Sequence, residues 1–431
     1  MRKRKFFCKN NLWVVSVFAL FIAFGGHFTE VFAADAVNPD LKGEITIWSW
    51  GNYEKNGAAD FSKFYPNIKV NFVMVPSSDY LKKIQIAVAA GGELPDVVQL
   101  EVIPRGKEFS LDAWERLDAP PYNLDKNDVV DWALSLITNQ KGEVVCMQSD
   151  NCVGGYAYKR SLAKEYFGTD DPAALEKIFT SWDVYLEKGR EVAKKSGGKV
   201  FLFSGTTDAF SAIEGLYTKE PFVKDNTLNL DTSILPTYKI LAQLVKDGSI
   251  GKYQQWSPPW NASFGSNTVI FYGAPTWFVP FVIKANDKKG DYGLLTPPEG
   301  GFSWGGTCYA IPKTGKNKEL AWAWIHWLTL TQAGAESFVN VHSVPTLYKK
   351  AYETELYSKP DPYFAGQNIL EKYLEIAKHP NTHSRALTEY DAIILETNGM
   401  ILQQIEQGLS ADEAYRKLKE EILKKVPELK S

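Results

Sequence analysis

The order of segments between residues 44 and 101 constrains the fold more than any other feature of this chain. EITIWSW (44–50), IKVNFVMV (68–75) and LPDVVQLE (94–101) read as strands. Two helical runs separate them. One covers about 55–65 and stops at Pro66. The other covers 79–90, with Leu81, Ile84 and Val88 on one face and Gly91-Gly92 as its stop. A β-α-β-α-β order builds a mostly parallel sheet covered by helices. The rest of the chain continues in that style. GYAYKRSLAKEYF (155–167) passes from strand into helix, and 181–197, 233–248 and 319–330 read as helices. KVFLFSG (199–205) is strand-like, and 267–283 reads as a strand, a turn at Gly273 to Pro275 and a further segment. The final helix starts with Ser410 and Glu413 as a capping-box pair.

The first residues say where such a chain works. MRKRKFFCKN is basic, LWVVSVFALFIAF (12–24) is almost wholly apolar, and EVFAADA supplies small residues for cleavage after Ala33. Residues 1–33 therefore read as a secretory signal, with a membrane anchor as the rival. The apolar run is short of the ~20 residues that a span needs. Cys8 precedes the apolar stretch, so it is misplaced for lipid attachment. The full chain has 48 Lys/Arg and 51 Asp/Glu. Removing 1–33 takes away five of the bases and one acid, leaving 43 and 50 and a net charge of −7. No long basic block remains, which argues against nucleic acid as a partner.

About 398 mature residues (431 less 33) exceed what one core usually serves, so two domains are expected. No low-complexity linker separates them, which suits two lobes sharing crossing segments. Cys146 and Cys152 close the short stretch CMQSDNC. In an exported protein a local disulfide is the favoured reading. The spacing is wrong for zinc and no histidine sits nearby. Cys308 is left as a free thiol or paired with a partner outside that stretch.

Catalytic motifs are missing: there is no GxSxG, HExxH or GxxxxGK[ST]. His326 lies in a Trp-rich helix and reads as packed. His379 and His383 have Pro380 between them, which breaks the helix that an i, i+4 metal pair requires. No metal or cofactor is expected. A glycosidase pair of acids depends on a separation that sequence spacing does not give. Aromatic residues are the stronger signal. The chain has 13 Trp, several at strand ends or beside turn residues: Trp48, Trp50, Trp256, Trp260, Trp277 and Trp304. Ligands of open α/β sheets bind beyond the carboxyl ends of strands. A sugar has an apolar face and a rim of hydroxyls. It calls for a flat ring beneath and carboxylates or amides at the edge. Asp96, Gln99, Glu101, Asp150 and Asn151 lie in such mouth segments. In FSWGGTCYAIP (302–312), Trp304 reads either as a stacking platform or as filler at a lobe interface. Gly305 and Gly306 would let a ligand approach the backbone.

Several stretches in order along nearly the whole mature chain resemble one family. They are ITIWSWGN with DFSKFYPNIKVNF, AVAAGGELPDVVQLE, GGYAYKRSLAKEYFGTDDP, SWDVYLEKGREVAKKSG, FYGAPTWFV, GFSWGGTCYAIPKTGKNKELAWAWIHWLT and ILQQIEQGLSADEAYRKLKEEI. Together they resemble the extracellular solute-binding proteins of ABC importers, family 1, the maltose-binding-protein-like sugar receptors. The resemblance implies a type II periplasmic-binding-protein-like fold, with two α/β lobes joined by a hinge and a ligand cleft between them. It implies a first lobe of 41–146 plus 302–350 and a second of 147–301 plus 351–431. It also implies a monomeric periplasmic receptor that hands an oligosaccharide to membrane permease subunits without making or breaking a bond. Carried onto this sequence, the ligand contacts fall at Trp48 or Trp50, Asp96, Gln99, Glu101, Tyr156, Trp277, Trp304, Gly305 and Gly306, with one of Trp256 and Trp260 (Trp260 preferred) and Asp150 added. Two departures stand out: no lipidation cysteine follows the signal, and CMQSDNC is unlike the family's usual entry to the second lobe. An exported glycoside-active enzyme and a carbohydrate-binding surface protein are the alternatives. The many aromatics favour an oligosaccharide over a free hexose. The mildly acidic charge and the scarcity of arginines argue against a polyanionic uronate, an argument that Arg105 and Arg160, both near the mouth segments, weaken.

Overall fold

The alternation expected at the start of the chain becomes the first sheet. The computed structural model describes residues 37–51 and 54–431, so the expected leader lies outside the described residues. Five strands form this sheet: β1 (Gly43–Ser49), β2 (Ile68–Met74), β3 (Val97–Glu101), β4 (Met147–Gln148) and β11 (Thr307–Ala310). Their spatial order is β2-β1-β3-β11-β4. β1 pairs in parallel with β2 and β3, whereas β11 is antiparallel to both β3 and β4. In β1, Ile45, Ile47 and Ser49 are buried while Thr46 and Trp48 are half-buried on the other face. β3 is flanked on both edges, and its Val97, Val98, Gln99 and Leu100 are all buried, as strands covered on two faces require. The Trp-rich helix Lys318–Leu330 covers this sheet and sets Trp324 and Trp327 against Phe61, ring centroids 4.9 and 5.4 Å apart.

The second sheet is built around β5 (Val153–Lys159). β8 (Phe271–Pro275) runs along one edge of β5, and β9 (Tyr292–Leu295) and β10 (Phe302–Ser303) share the other, all antiparallel to it. A small hairpin, β6 (Val223–Lys224) with β7 (Thr227–Leu228), stands apart. Two sequence expectations change here. Residues 199–205 form isolated bridges, Phe201 to Val269 and Phe203 to Ile250, instead of a full strand. Gly273 to Pro275 continue β8, because Tyr156, Gly155 and Gly154 of β5 pair with them in turn; the turn follows at Thr276.

Helices close the second lobe. Trp182–Ser196 is capped by the Ser181 Oγ, which accepts from the Val184 N–H, and ends at Gly197 in the left-handed region. Ala411–Lys425 starts as expected, with the Ser410 Oγ accepting from the Glu413 N–H at 3.4 Å. Thr206–Tyr217 packs on β8 and β10, and Asp391–Glu406 lies against it. The two-lobe α/β architecture thus rests on two sheets. The chain passes from the first to the second between Gln148 and Val153, and returns between Ser303 and Thr307. It crosses again between Tyr348, which bridges to Val129, and Pro362–Phe364, which packs beside β9.

The expected Cys146–Cys152 disulfide is not formed: Cys146, Cys152 and Cys308 are all free and buried. CMQSDNC is not a free loop. Met147 and Gln148 join the first sheet, which fixes Cys146 in that core, with its thiol against Cys308. Cys152 begins the turn into β5, and its thiol donates to the Asp150 carboxylate at 2.8 Å.

Candidate functional site

Five segments converge between the lobes. Trp50 follows the end of β1, and Gln99 and Glu101 close β3, so all three stand at the carboxyl ends of parallel strands. Asp150 comes from the first crossing, Trp277 from the turn after β8, and Trp304 to Gly306 from the second crossing. Two adjoining cavities lie among them. The larger, about 940 Å³, is lined by Trp50, Glu101, Trp256, Trp277, Trp304 and Gly305, among others. The smaller, about 300 Å³, shares Trp50, Glu101, Trp277 and Gly305 and adds Gln99, Asp150 and Gly306. Both volumes suit a small-ligand cleft.

Local bonds hold these groups in place. The Gln99 Oε1 accepts from the Trp50 backbone N–H at 3.0 Å. The Tyr80 hydroxyl donates to the Trp48 carbonyl and accepts from the Gln99 N–H, at 2.6 and 3.1 Å. Tyr80 also meets the Trp50 ring edge-on, centroids 5.3 Å apart. The Trp277 indole stands at 75° to Trp304 with centroids 5.5 Å apart. Gly305 and Gly306 have φ of +92° and +108°, a region that side-chain-bearing residues rarely adopt. A Cβ on Gly305 would lie 2.5 Å from the Trp277 Nε1, and one on Gly306 2.4 Å from the Gln148 Oε1. Glycine here lets the second crossing pass close beneath Trp277.

Charge is buried under this floor. Arg105 is fully buried and donates to the carbonyls of Leu100, Leu136 and Gly306 and to the Gln148 Oε1. Burial pushes the Glu101 carboxyl above its usual range, although the Ile103 N–H and the Arg105 cation oppose this. Burial likewise raises Asp150, with the Cys152 thiol opposing, and its Oδ1 has no partner. Glu108 is buried with neither oxygen partnered, and its carboxyl is pushed well up. Among the described residues, no group of three or more His, Cys, Asp or Glu is placed to hold a metal ion.

Of the twelve ligand contacts that the resemblance implied, eight meet at this cleft: Trp50, Gln99, Glu101, Asp150, Trp277, Trp304, Gly305 and Gly306. Four do not. Trp48 points to the other face of β1, where the Lys83 ammonium sits 4.0 Å from its ring centroid. Asp96 precedes β3, at the end away from the cleft, and its carboxylate accepts from the backbone N–H groups of Thr46 and Asn317. Tyr156 is 0% exposed and packs among Trp182, Tyr185, Phe203 and Phe302, because alternation along β5 turns it into the second core. Trp260 is also 0% exposed, packed on Phe264 and Phe278. The neighbouring Trp256 takes the cleft position. It is 57% exposed, has φ +69°, and lies nearly parallel to Trp277 at 6.4 Å. Sequence reasoning missed Tyr80, Glu214, Gln255 and Arg385, which also line the larger cavity. Only Gln255, beside Trp256, carried a local signal. A separate surface groove of about 620 Å³, lined by Tyr352, Gln367, Asn368 and Lys372, lies outside the cleft.

Comparison with known proteins bears on the family and the fold. The sequence profile of the bacterial extracellular solute-binding proteins matches residues 57–365. A lactose-binding protein of Rhizobium radiobacter is 23% identical over 362 residues, covering 77% of this chain and 82% of that protein. An arabinooligosaccharide-binding protein of Bacillus subtilis (strain 168) is 22% identical over 306 residues, covering 64% of this chain and 67% of its own. Among solved structures, an extracellular solute-binding protein of family 1 superposes with a TM-score of 0.78 at 21% identity, covering 88% of this chain and 99% of that one. The galacto-N-biose-/lacto-N-biose I-binding protein of Bifidobacterium longum, in complex with lacto-N-biose, gives 0.71 at 19% identity, covering 90% and 99%. The chain belongs to the bacterial extracellular solute-binding proteins.

Proposed function

We propose that this protein is an extracytoplasmic carbohydrate receptor that binds an oligosaccharide in the inter-lobe cleft and presents it to the permease subunits of an ABC importer. The observation that carries the reading is the convergence of Trp50, Trp256, Trp277 and Trp304 on one cavity whose edge holds Gln99, Glu101 and Asp150. Indole faces match the apolar side of a pyranose, and amides and carboxylates match its hydroxyls. The names of two relatives, a lactose-binding and an arabinooligosaccharide-binding protein, support the same ligand class. On this reading residues 1–33 are removed on export, and the mature protein is a free periplasmic monomer. The lobes, expected at 41–146 plus 302–350 and 147–301 plus 351–431 but bounded at 148–153 and 303–307 once β4 joins the first sheet and β10 the second, close by bending at the crossings. The sugar leaves unchanged.

A thermal-shift screen over di- and trisaccharides tests this, because a ligand of the folded state raises its apparent stability. Titration calorimetry should then give one site per chain, and solution scattering a smaller radius of gyration with the sugar present. A steady rise in reducing ends at substoichiometric protein would instead establish a glycoside-active enzyme.

A further inference from the structure

The ionisable groups lining the two cavities are strongly unbalanced. Among the described residues they are the acids Glu101, Glu108, Asp150, Glu214 and Asp391 and a single base, Arg385. Arg385 is already engaged. Its Nη1 donates to the Asp391 carboxylate, its guanidinium stacks 3.7 Å from the Phe222 ring centroid, and Glu214 lies within its field. Arg105, the other cation nearby, lies wholly buried behind the Gly306 carbonyl and is not part of the lining. The inner end of the cleft, between Trp50 and Trp277, therefore presents Glu101 and Asp150 with no basic side chain in its lining among the described residues, and Arg105 acts on them only from behind the floor. Asp150 is 5% exposed; its Oδ2 accepts from the Cys152 thiol, the backbone N–H groups of Thr307 and Asp150 lie beside its carboxylate, and its buried Oδ1 makes no hydrogen bond of good geometry. A buried acceptor of that kind calls for a donor from outside.

We propose that this inner end selects saccharides by charge: it takes a neutral or amino sugar, whose hydroxyls or ammonium donate to Glu101 and Asp150, and it rejects acidic sugars. The inference rests on the carbohydrate-receptor reading above. The reason is electrostatic. A uronate brought beside these carboxylates is stripped of water and meets like charge, so it enters only against repulsion or with uptake of a proton. A hydroxyl or ammonium meets neither cost. It also satisfies the orphaned Asp150 oxygen, which water reaches poorly.

The test compares neutral disaccharides (lactose, cellobiose, α-1,4-galactobiose and arabinobiose) with α-1,4-digalacturonate and cellobiouronate, and with the glucosamine disaccharide, all by thermal shift and calorimetry at neutral pH. The expected result is binding of at least one neutral or amino member, with every acidic member at least tenfold weaker. In Asp150→Asn and, separately, Glu101→Gln, the gap between acidic and neutral members should narrow at least tenfold. The two variants guard against one failing to fold. Acidic members binding as well as neutral ones would overturn charge selection and leave the receptor reading standing. A gap unchanged in both folded variants would overturn the assignment to these residues. Binding of no saccharide at all would overturn the receptor reading and this inference together.

Discussion

The indole N–H of Trp277 donates to the backbone carbonyl of Trp304 at 2.8 Å. This bond ties the turn after β8 to the second crossing. It also fixes which part of Trp277 is available. The polar edge is satisfied within the protein, so the indole offers a ligand its face and not its N–H. The bond locks the ring over Gly305, where no side chain fits.

Replacement of Trp277 therefore separates stacking from hydrogen bonding. Trp277→Ala should weaken saccharide affinity at least tenfold, about 1.4 kcal/mol, in calorimetry. Trp277→Phe keeps an apolar ring and loses only the internal bond. It should recover most of that affinity and show a lowered melting temperature. Equal binding by Trp277→Ala and the parent would remove this indole from the ligand platform.

Trp256 and Trp260 are four residues apart and should behave oppositely. Trp256 is 57% exposed and touches one cleft indole, Trp277, and the buried Trp260, so Trp256→Ala should lower affinity with little change in urea midpoint. Trp260 is fully buried, and Trp260→Ala should cost about 3–5 kcal/mol of stability. The reverse ranking would mean that the ring assignments here are exchanged.

That pair shows where sequence reasoning stops. Residues at strand ends were legible, because β1 and β3 carry a period-two pattern and their carboxyl ends must open on the cleft. Trp50 and Glu101 follow from that. That period does not decide between Trp48 and Trp50, which are two positions apart and would share a face of an extended strand; Trp50 reaches the cleft because β1 ends at Ser49 and the chain leaves the strand there. The period does turn Tyr156 inward, yet β5 is buried on both faces, so its pattern gave no hint of which side met the cleft. Trp256 owes its exposure to a left-handed backbone residue ahead of the helix Pro258–Ser263, which local sequence does not announce. Glu214 and Arg385 reach the cavity from helices and loops distant in sequence, and only tertiary packing unites them.

The three buried thiols give a direct chemical count. The mature chain should release no thiol to a small disulfide reagent while folded, and three in guanidinium, from Cys146, Cys152 and Cys308. A count of one in denaturant would restore the local disulfide that the short spacing suggested. The undenatured chain should react slowly because burial raises the Cys146 and Cys152 thiols well above their usual range and so suppresses the reactive thiolate.

Asp208 should make stability depend on pH. It lies in the first turn of the helix Thr206–Tyr217, where its carboxylate accepts from the Ser204 hydroxyl and from the Gln255 side-chain amide at 3.3 Å. Burial pushes it from 3.8 up to about 6, against those bonds. The folded protein therefore holds a proton that the unfolded chain releases between about pH 4 and 6. Its contribution to stability is present below pH 4, falls as pH rises through 6, and is flat above that. A shift of this size corresponds to on the order of 3 kcal/mol. Asp208→Asn keeps the shape and removes the titration. Urea midpoints at pH 4.5 and 7 should show the parent losing more stability on going to pH 7 than Asp208→Asn does. Parallel losses in the two proteins would mean that this carboxyl titrates alike in the folded and unfolded chains. The same substitution bears on the cleft, because Gln255 lines it and is held by Asp208. An amide at 208 can still engage Gln255, so saccharide affinity should stay within about threefold while the pH slope disappears.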